Sequence, residues 1–196
     1  MMKNNSTRDH ILDSAQALAQ TRGFNAFSYA DIATELGVKK ASIHYHFPSK
    51  SDLEVELLER YRMSFIAELD SIESKVEGST ERLQRYVDLY SATLDNKRIC
   101  LAGMMASEVG AVPGPLAAML SVFFEEQISW LAKVMAAGKS AGELSFSESA
   151  PSQASVFLAA LQGGLLVANV MESDAVFKRL KKTCLLYTSP SPRDRG

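Results

Sequence analysis

The chain has 196 residues, 46% of them hydrophobic, 22% charged and 8% aromatic, which is length enough for one or two packed domains and excludes disordered and collagen-like classes. The formal charge of −2 conceals a division: residues 1–50 carry six basic against four acidic side chains, net +2, leaving −4 for the remainder. A small basic module on a larger acidic body suits a local nucleic-acid contact better than a wholly basic coat. Cys100 and Cys184 are too few for a disulfide framework and no basic-then-apolar leader opens the chain, so the cytoplasm is the expected location. The longest apolar stretch, Val156–Met171, is interrupted by Gln162, Gly163, Gly164 and Asn169. It falls short of the ~20 residues a membrane span needs, and no membrane contact is expected.

Helical periodicity runs through almost every segment. Ile11, Leu12, Ala15, Leu18 and Ala19 follow an i, i+3/i+4, i+7 pattern that Gly23 stops. Ser28-Tyr29-Ala30-Asp31 has capping-box spacing and predicts a short helix with Ile32, Ala33 and Leu36 inside, ended by Gly37. A second short helix is expected over Lys39–Tyr45. Ser49-Lys50-Ser51-Asp52 repeats the capping spacing and starts a long helix with Leu53, Leu57, Tyr61 and Phe65 on one side, broken by Gly78. Further helices fit Thr80–Leu94, Lys97–Val109, Pro115–Ala137, Ala154–Met171 and Ala175–Lys182, with turns at Gly110, Pro113-Gly114-Pro115 and from Gly138 to Pro151. Nothing longer than Leu144–Phe146 has strand period. The expected fold is all-α with about nine helices: a three-helix head over 1–50, and a bundle over 51–183. Cys184–Gly196 (CLLYTSPSPRDRG) turns abruptly Ser/Pro-rich and resembles the translation of one frame of a sequencing adapter. It is expected to be an artefactual or disordered tail.

The segment richest in chemistry is Phe27–Lys50, FSYADIATELGVKKASIHYHFPSK. Two short helices separated by Gly37-Val38 make a helix-turn-helix, at about 28–47, with Ala33 small enough for close helix packing. Ile43 points inward with Val38 and Phe47. The outer face of Lys39–Tyr45 then presents Lys39, Lys40, Ser42, His44 and Tyr45, donors and stacking groups suited to phosphates and base edges. Taken alone, Lys39 and Lys40 read first as a solvated face, and Tyr45 equally as a packing residue. His44 and His46, two apart, point away from each other and make a poor metal pair, so no metal is expected.

These strings resemble the tetracycline-repressor (TetR/AcrR) family of bacterial transcriptional regulators. The matching elements are Arg22-Gly23-Phe24 closing the first helix, then YADIATELGV, then KKASIHYHFPSKSDL, about the first third of the chain. The resemblance implies that Lys40, Ala41, Ser42 and His44 face bases or nearby phosphates. It implies that Tyr45, His46 and Lys50 support or touch the DNA backbone, and that Tyr29 faces it from the preceding helix. Ser28 joins them as a candidate contact. His44 departs from the tyrosine common at its position.

The larger domain is implied by the same resemblance to bind a small-molecule effector and to shift the long fourth helix, changing the spacing of paired heads. Its Met and aromatic side chains read first as core. A candidate pocket among them comprises Met104, Met105, Phe123, Phe124 and Trp130. Ala154–Met171 is apolar nearly all round and carries Gly163-Gly164, which suggests close approach by another backbone and a two-fold dimer. Leu161, Gly163, Gly164, Leu165 and Ala168 are its expected interface. Cys100 reads as a small buried hydrophobe or, by family habit, as a redox or electrophile sensor.

The expected function is therefore a homodimeric repressor that an unknown effector releases from a near-palindromic double-stranded operator, with no cofactor. The alternatives are a redox- or electrophile-sensing regulator using Cys100 and a helix-turn-helix module binding protein. An enzyme is not expected, since Walker, HExxH, GxSxG and paired-Cys motifs are missing and His10, His44 and His46 all lie in the head.

Overall fold

The computed structural model describes residues 6–108 and 114–188, and in them nine α-helices and no strand. They are α1 (Thr7–Arg22), α2 (Tyr29–Leu36), α3 (Lys40–His46), α4 (Lys50–Lys75), α5 (Ser79–Asp95), α6 (Leu101–Glu108), α7 (Pro115–Ser140), α8 (Ala150–Val170) and α9 (Asp174–Thr188). The all-α expectation holds.

Local signals account for the sharpest boundaries. Ser6 and Ser28 each cap a helix in a reciprocal box with the aspartate three residues on, Asp9 and Asp31. Ser49 and Asp52 pair in the same way ahead of α4, the Ser49 amide donating to Asp52 Oδ2 at 2.9 Å. Gly37 ends α2 in the left-handed region, φ 65°, ψ 30°, a conformation that favours a residue without Cβ.

Boundaries set by packing depart from the expected ones. The chain does not enter α6 at Lys97. That residue takes φ 54° while its amide and that of Arg98 close back on Leu94 and Thr93, so helix resumes only at Leu101. Gly138 lies inside α7 rather than in a turn: a Cβ there would stand 2.5 Å from Leu144 Cδ1 and 2.7 Å from Ser79 Cβ. Its carbonyl accepts from the amides of Glu143 and Leu144, folding the following loop over it. Helix α8 starts four residues earlier than expected, because Ser149 caps it and Pro151 fits its first turn. At 21 residues, with a mean hydropathy of 1.4 over its most apolar 18, it is long and apolar enough to cross a membrane, although one face is core. Helix α9 continues through Cys184 to Thr188, into the segment expected to be disordered. Residues 189–196, like the expected turns at Gly110 and Pro113, lie outside the described residues.

Contacts divide the chain into two units, neither a continuous stretch. One holds α1, α2, α3, α4 as far as Met63, α6, and α7 as far as Leu120. Its core is Ile11, Leu12, Ala15, Phe24, Phe27, Ile32, Ile43, Phe47, Leu53, Leu57, Leu58 and Leu101, all 4% exposed or less. Each fully buried aliphatic or aromatic group here contributes about 1.5–3 kcal/mol. Arg60 ties α4 to α1 through Asp13 at 2.7 Å and Gln16 at 3.1 Å, and Ser14 donates to Glu35 of α2 at 2.8 Å.

The other unit holds α4 from Ser64, α5, α7 from Ser121, α8 and α9. Leu83, Tyr86, Val87, Phe123, Leu131, Met135, Phe157, Leu161, Leu165 and Phe177 fill it. Arg82 closes the C-terminal end of α4 by donating to the carbonyls of Val76 (2.8 Å) and Glu73 (3.1 Å), and Glu143 accepts from the Thr80 amide at the start of α5.

Candidate nucleic-acid interface

The reading helix is held by two residues. Ile43 is fully buried and Phe47 nearly so, and Arg8 lies over the Phe47 ring at 5.2 Å. Pinned on that side, α3 turns the opposite one to solvent. Lys39, Lys40, Ala41, His44 and Tyr45 are exposed, Tyr45 at 83%, while Ser42 and His46 are half-buried. Neither Lys39 nor Lys40 has an ion-pair partner among the described residues. The His44 ring sits edge-on to Tyr29 at 4.8 Å, and Tyr45 edge-on to His46 at 5.1 Å. The face therefore offers two uncompensated ammonium groups, an aromatic ring and an imidazole, all donors or stacking surfaces.

Ser28, Tyr29 and Lys50 have other work. The Ser28 hydroxyl, though exposed, is engaged in the α2 capping box, bonded to Asp31 at 2.7 Å and accepting from the Ala30 amide at 3.2 Å. Tyr29 is a correction: it is 5% exposed, not presented to a DNA backbone. Its hydroxyl donates to the carbonyls of Ser49 (2.6 Å) and Phe47 (3.0 Å), fastening α2 to the turn between α3 and α4. Burial foremost, with the Asp52 charge adding, pushes its phenol pKa up, so it stays a donor. The helical repeat Tyr29-Ile32-Ala33-Leu36 carried this signal.

Lys50 is half-buried. Its ammonium turns inward and donates to the carbonyls of Phe24 and Phe27, both at 2.6 Å, with the two rings 4.9 and 4.6 Å away. Burial holds its pKa below the usual lysine value, and the carboxylates of Glu108, Glu54 and Asp31 oppose that shift. Nothing local in the sequence could announce this, since the partners lie 26 and 23 residues away.

Glu108, at the end of α6, went unnoticed in the sequence. It accepts from the Asn25 amide at 3.1 Å, and its other oxygen occupies the space a Cβ at Gly23 would need. The α1–α2 turn, with Gly23 at φ 97°, is thus gripped by a cation from α4 and an anion from α6. The approach of Glu108 together with burial pushes the half-buried Glu54 carboxyl up, burial being the larger cause.

The remaining candidates separate. Met104 and Met105 belong to the unit of α3, where Met104 lies beside Gly23, while Phe123, Phe124 and Trp130 belong to the other. They do not form one cluster within either unit. Leu161, Gly164, Leu165 and Ala168, expected between subunits, are buried in their own chain. A Cβ on Gly164 would stand 2.2 Å from Leu180 Cδ2 and 3.3 Å from Phe177 Cδ2, so the close neighbour is a pair of α9 side chains, not a backbone. Gly163 has open space beside it. The solvent side of α8 instead shows Val156, Leu166, Val167, Val170 and, just past its end, Met171, between 46% and 82% exposed. Cys100 is 2% exposed beneath Tyr61, whose hydroxyl lies 3.7 Å from its sulfur.

Comparison with known proteins agrees with this arrangement. Residues 11–57 match the family described as bacterial regulatory proteins, tetR family, and residues 79–184 match the tetracyclin repressor-like C-terminal domain. A TetR transcriptional regulator from Legionella pneumophila superposes with a TM-score of 0.86 at 31% identity, over 96% of this chain and 100% of that one. A TetR-family regulator from Agrobacterium tumefaciens gives 0.88 at 30% identity, over 93% and 97%. The HTH-type transcriptional repressor KstR2 of Mycobacterium tuberculosis is 34% identical over 80 residues, 41% of this chain and 40% of its own length. With both halves matched in order and an exposed reading helix at the expected place, the chain belongs to the tetR family of bacterial regulatory proteins.

Proposed function

We propose that the protein is a homodimeric, effector-responsive transcriptional repressor of the cytoplasm. Paired heads place α3 in successive major grooves of a near-palindromic operator, about one helical turn or a multiple apart. The observation that carries this reading is the outward face of α3. Lys39 and Lys40 are exposed without a partner beside Tyr45 and His44, on a helix that Ile43 and Phe47 hold from behind. Lys39 and Lys40 release counterions from phosphates, and the side chains of Ala41, Ser42 and His44 approach base edges, with Tyr45 and His46 toward the backbone.

The dimer half of the proposal is supported by the stripe of Val156, Gly163, Leu166, Val167 and Val170, which recurs at helical spacing along α8 from Val156 to its end. A contiguous apolar face of this kind on a soluble regulator calls for a partner, and a second copy of the chain satisfies a two-fold operator as well. An effector then favours a conformer in which the two heads no longer match the half-site spacing. A near-complete reversal requires it to prefer that conformer by ~5.5 kcal/mol. The thiol of Cys100, 2% exposed, packs in this reading as a core group.

A mobility-shift titration on the DNA upstream of its own gene tests the reading. Binding should survive competitor DNA and weaken steeply as salt rises. Binding that competitor abolishes outright would refute it.

A further inference from the structure

Among the described residues, one buried side-chain polar atom lacks a hydrogen-bond partner: Nε1 of Trp130, on α7. The residue is 8% exposed. Its indole stacks on Tyr86 with ring centres 5.7 Å apart and planes 20° from parallel. Tyr86 in turn meets Tyr90, Phe157 and the edge of Phe65 at 5.5, 6.3 and 6.1 Å. Around this aromatic wall the other polar groups are paired. Tyr86 and Tyr90 donate to Gln127 Oε1 at 2.7 and 3.0 Å, Gln162 donates to the Tyr90 hydroxyl at 3.2 Å, and the Gln127 amide donates to the Phe123 carbonyl at 3.3 Å.

A buried donor left unmade costs about 1–3 kcal/mol, which a phenyl ring at the same place would avoid. The Trp130 N–H is a buried donor beside paired hydroxyls and carboxamides, and its chemistry is one-sided. An indole only donates, so whatever completes it must bring an acceptor. The neighbours are flat rings, which favour a flat apolar body. These four hydrogen bonds run through hydroxyls, carboxamides and a backbone carbonyl, neutral groups that would compensate a charged ligand poorly for its lost hydration.

We propose that Trp130, Tyr86 and Gln127 mark the effector site, and that it takes an uncharged, flat, conjugated carbonyl compound whose oxygen accepts the Trp130 N–H. This rests on the effector-responsive reading given above. Phe65, half-buried and edge-on to Tyr86, Tyr90 and Phe123, is the part of that aromatic wall that α4 supplies. It rides on α4, whose first half supplies Leu53 and Leu57 to the unit that contains α3, so a ligand that repacks Phe65 acts on the helix the head is built upon.

Trp130 is the only tryptophan of the chain, so a nitrogen–proton correlation spectrum of the full-length protein shows a single indole peak. Acetophenone and 2-acetylnaphthalene serve as probes, with ethylbenzene and 2-ethylnaphthalene as shape-matched hydrocarbons and benzoate and 2-naphthoate as charged counterparts. At least one ketone should move the indole proton downfield and bind about tenfold more tightly than its hydrocarbon, the ~1.4 kcal/mol of one neutral hydrogen bond. The carboxylates should bind more weakly than the ketones, and Trp130→Phe should bring ketone and hydrocarbon to equal affinity. An indole peak unmoved by either ketone up to millimolar concentration, or ketone and hydrocarbon binding alike in the native protein, overturns the site. Operator binding of the ligand-free protein is measured alongside. Its absence defeats the regulatory reading itself, whereas intact operator binding with an unmoved indole defeats only the ligand assignment.

Discussion

Helices α3 and α8 each turn to solvent a face that the surrounding chain leaves uncovered, and the two faces have opposite chemistry. Helix α3 has seven residues and shows Lys39 before it, then Lys40, His44 and Tyr45. Helix α8 has 21 and shows Val156, Leu166, Val167 and Val170. Charge on a short, firmly seated rod suits a phosphate-lined groove, where counterion release supplies much of the affinity. An apolar stripe on a long helix suits burial against an equal stripe, where the hydrophobic effect supplies it. What a helix leaves exposed, rather than what it buries, separates the two proposed roles.

If the stripe on α8 is the contact between copies, Val167→Asp with Val170→Asp should weaken dimerisation more than a hundredfold by analytical ultracentrifugation, because two unpaired charges would be buried. Val170 is 82% exposed, so the monomer should melt as before. The buried side of the same helix should respond in the contrary way. Gly164→Leu drives a side chain into Leu180 and Phe177 and should cost about 1–3 kcal/mol of stability by denaturant unfolding.

On the head, Lys40 and Lys50 provide the matching contrast. Lys40→Ala should lower operator affinity about tenfold and reduce the salt slope by about 1, with unfolding unaltered. Lys50→Ala should leave the Phe24 and Phe27 carbonyls without their donor and cost about 1–3 kcal/mol of stability instead. The smallest effect concerns Glu54. Its native pKa is raised, so the stabilising protonated form is present below the ordinary carboxylate range and lost as pH rises through the native value. Glu54→Gln should therefore raise the melting temperature at neutral pH, by an increment that shrinks as pH falls toward about 4.

The sequence was most legible where structure is decided within a few residues. The capping pairs Ser28–Asp31 and Ser49–Asp52 and the left-handed Gly37 fixed the helix-turn-helix, and the inward Ile43 oriented its exposed face. Legibility failed where the deciding partner is distant. Lys50 carries the same charge as Lys40, and only the approach of Phe24 and Phe27 turns it inward. Gly163 and Gly164 look equivalent in the string, yet one faces α9 side chains and the other open space. An apolar helix of the α8 kind announces that it will be buried, while which side meets its own chain depends on where α9 lands. The Trp130 N–H is invisible for a like reason, since a missing partner is a property of every neighbour at once.

The account rests on α3 entering a duplex with its outward face, and selection from a randomised DNA pool tests this most directly. The native protein should enrich a near-palindromic site, and the Lys39→Ala, Lys40→Ala, Tyr45→Ala triple variant should bind that site about a hundredfold more weakly while unfolding at the same denaturant concentration. A pool that enriches no sequence, or a triple variant that binds the selected site as the native protein does, would contradict it.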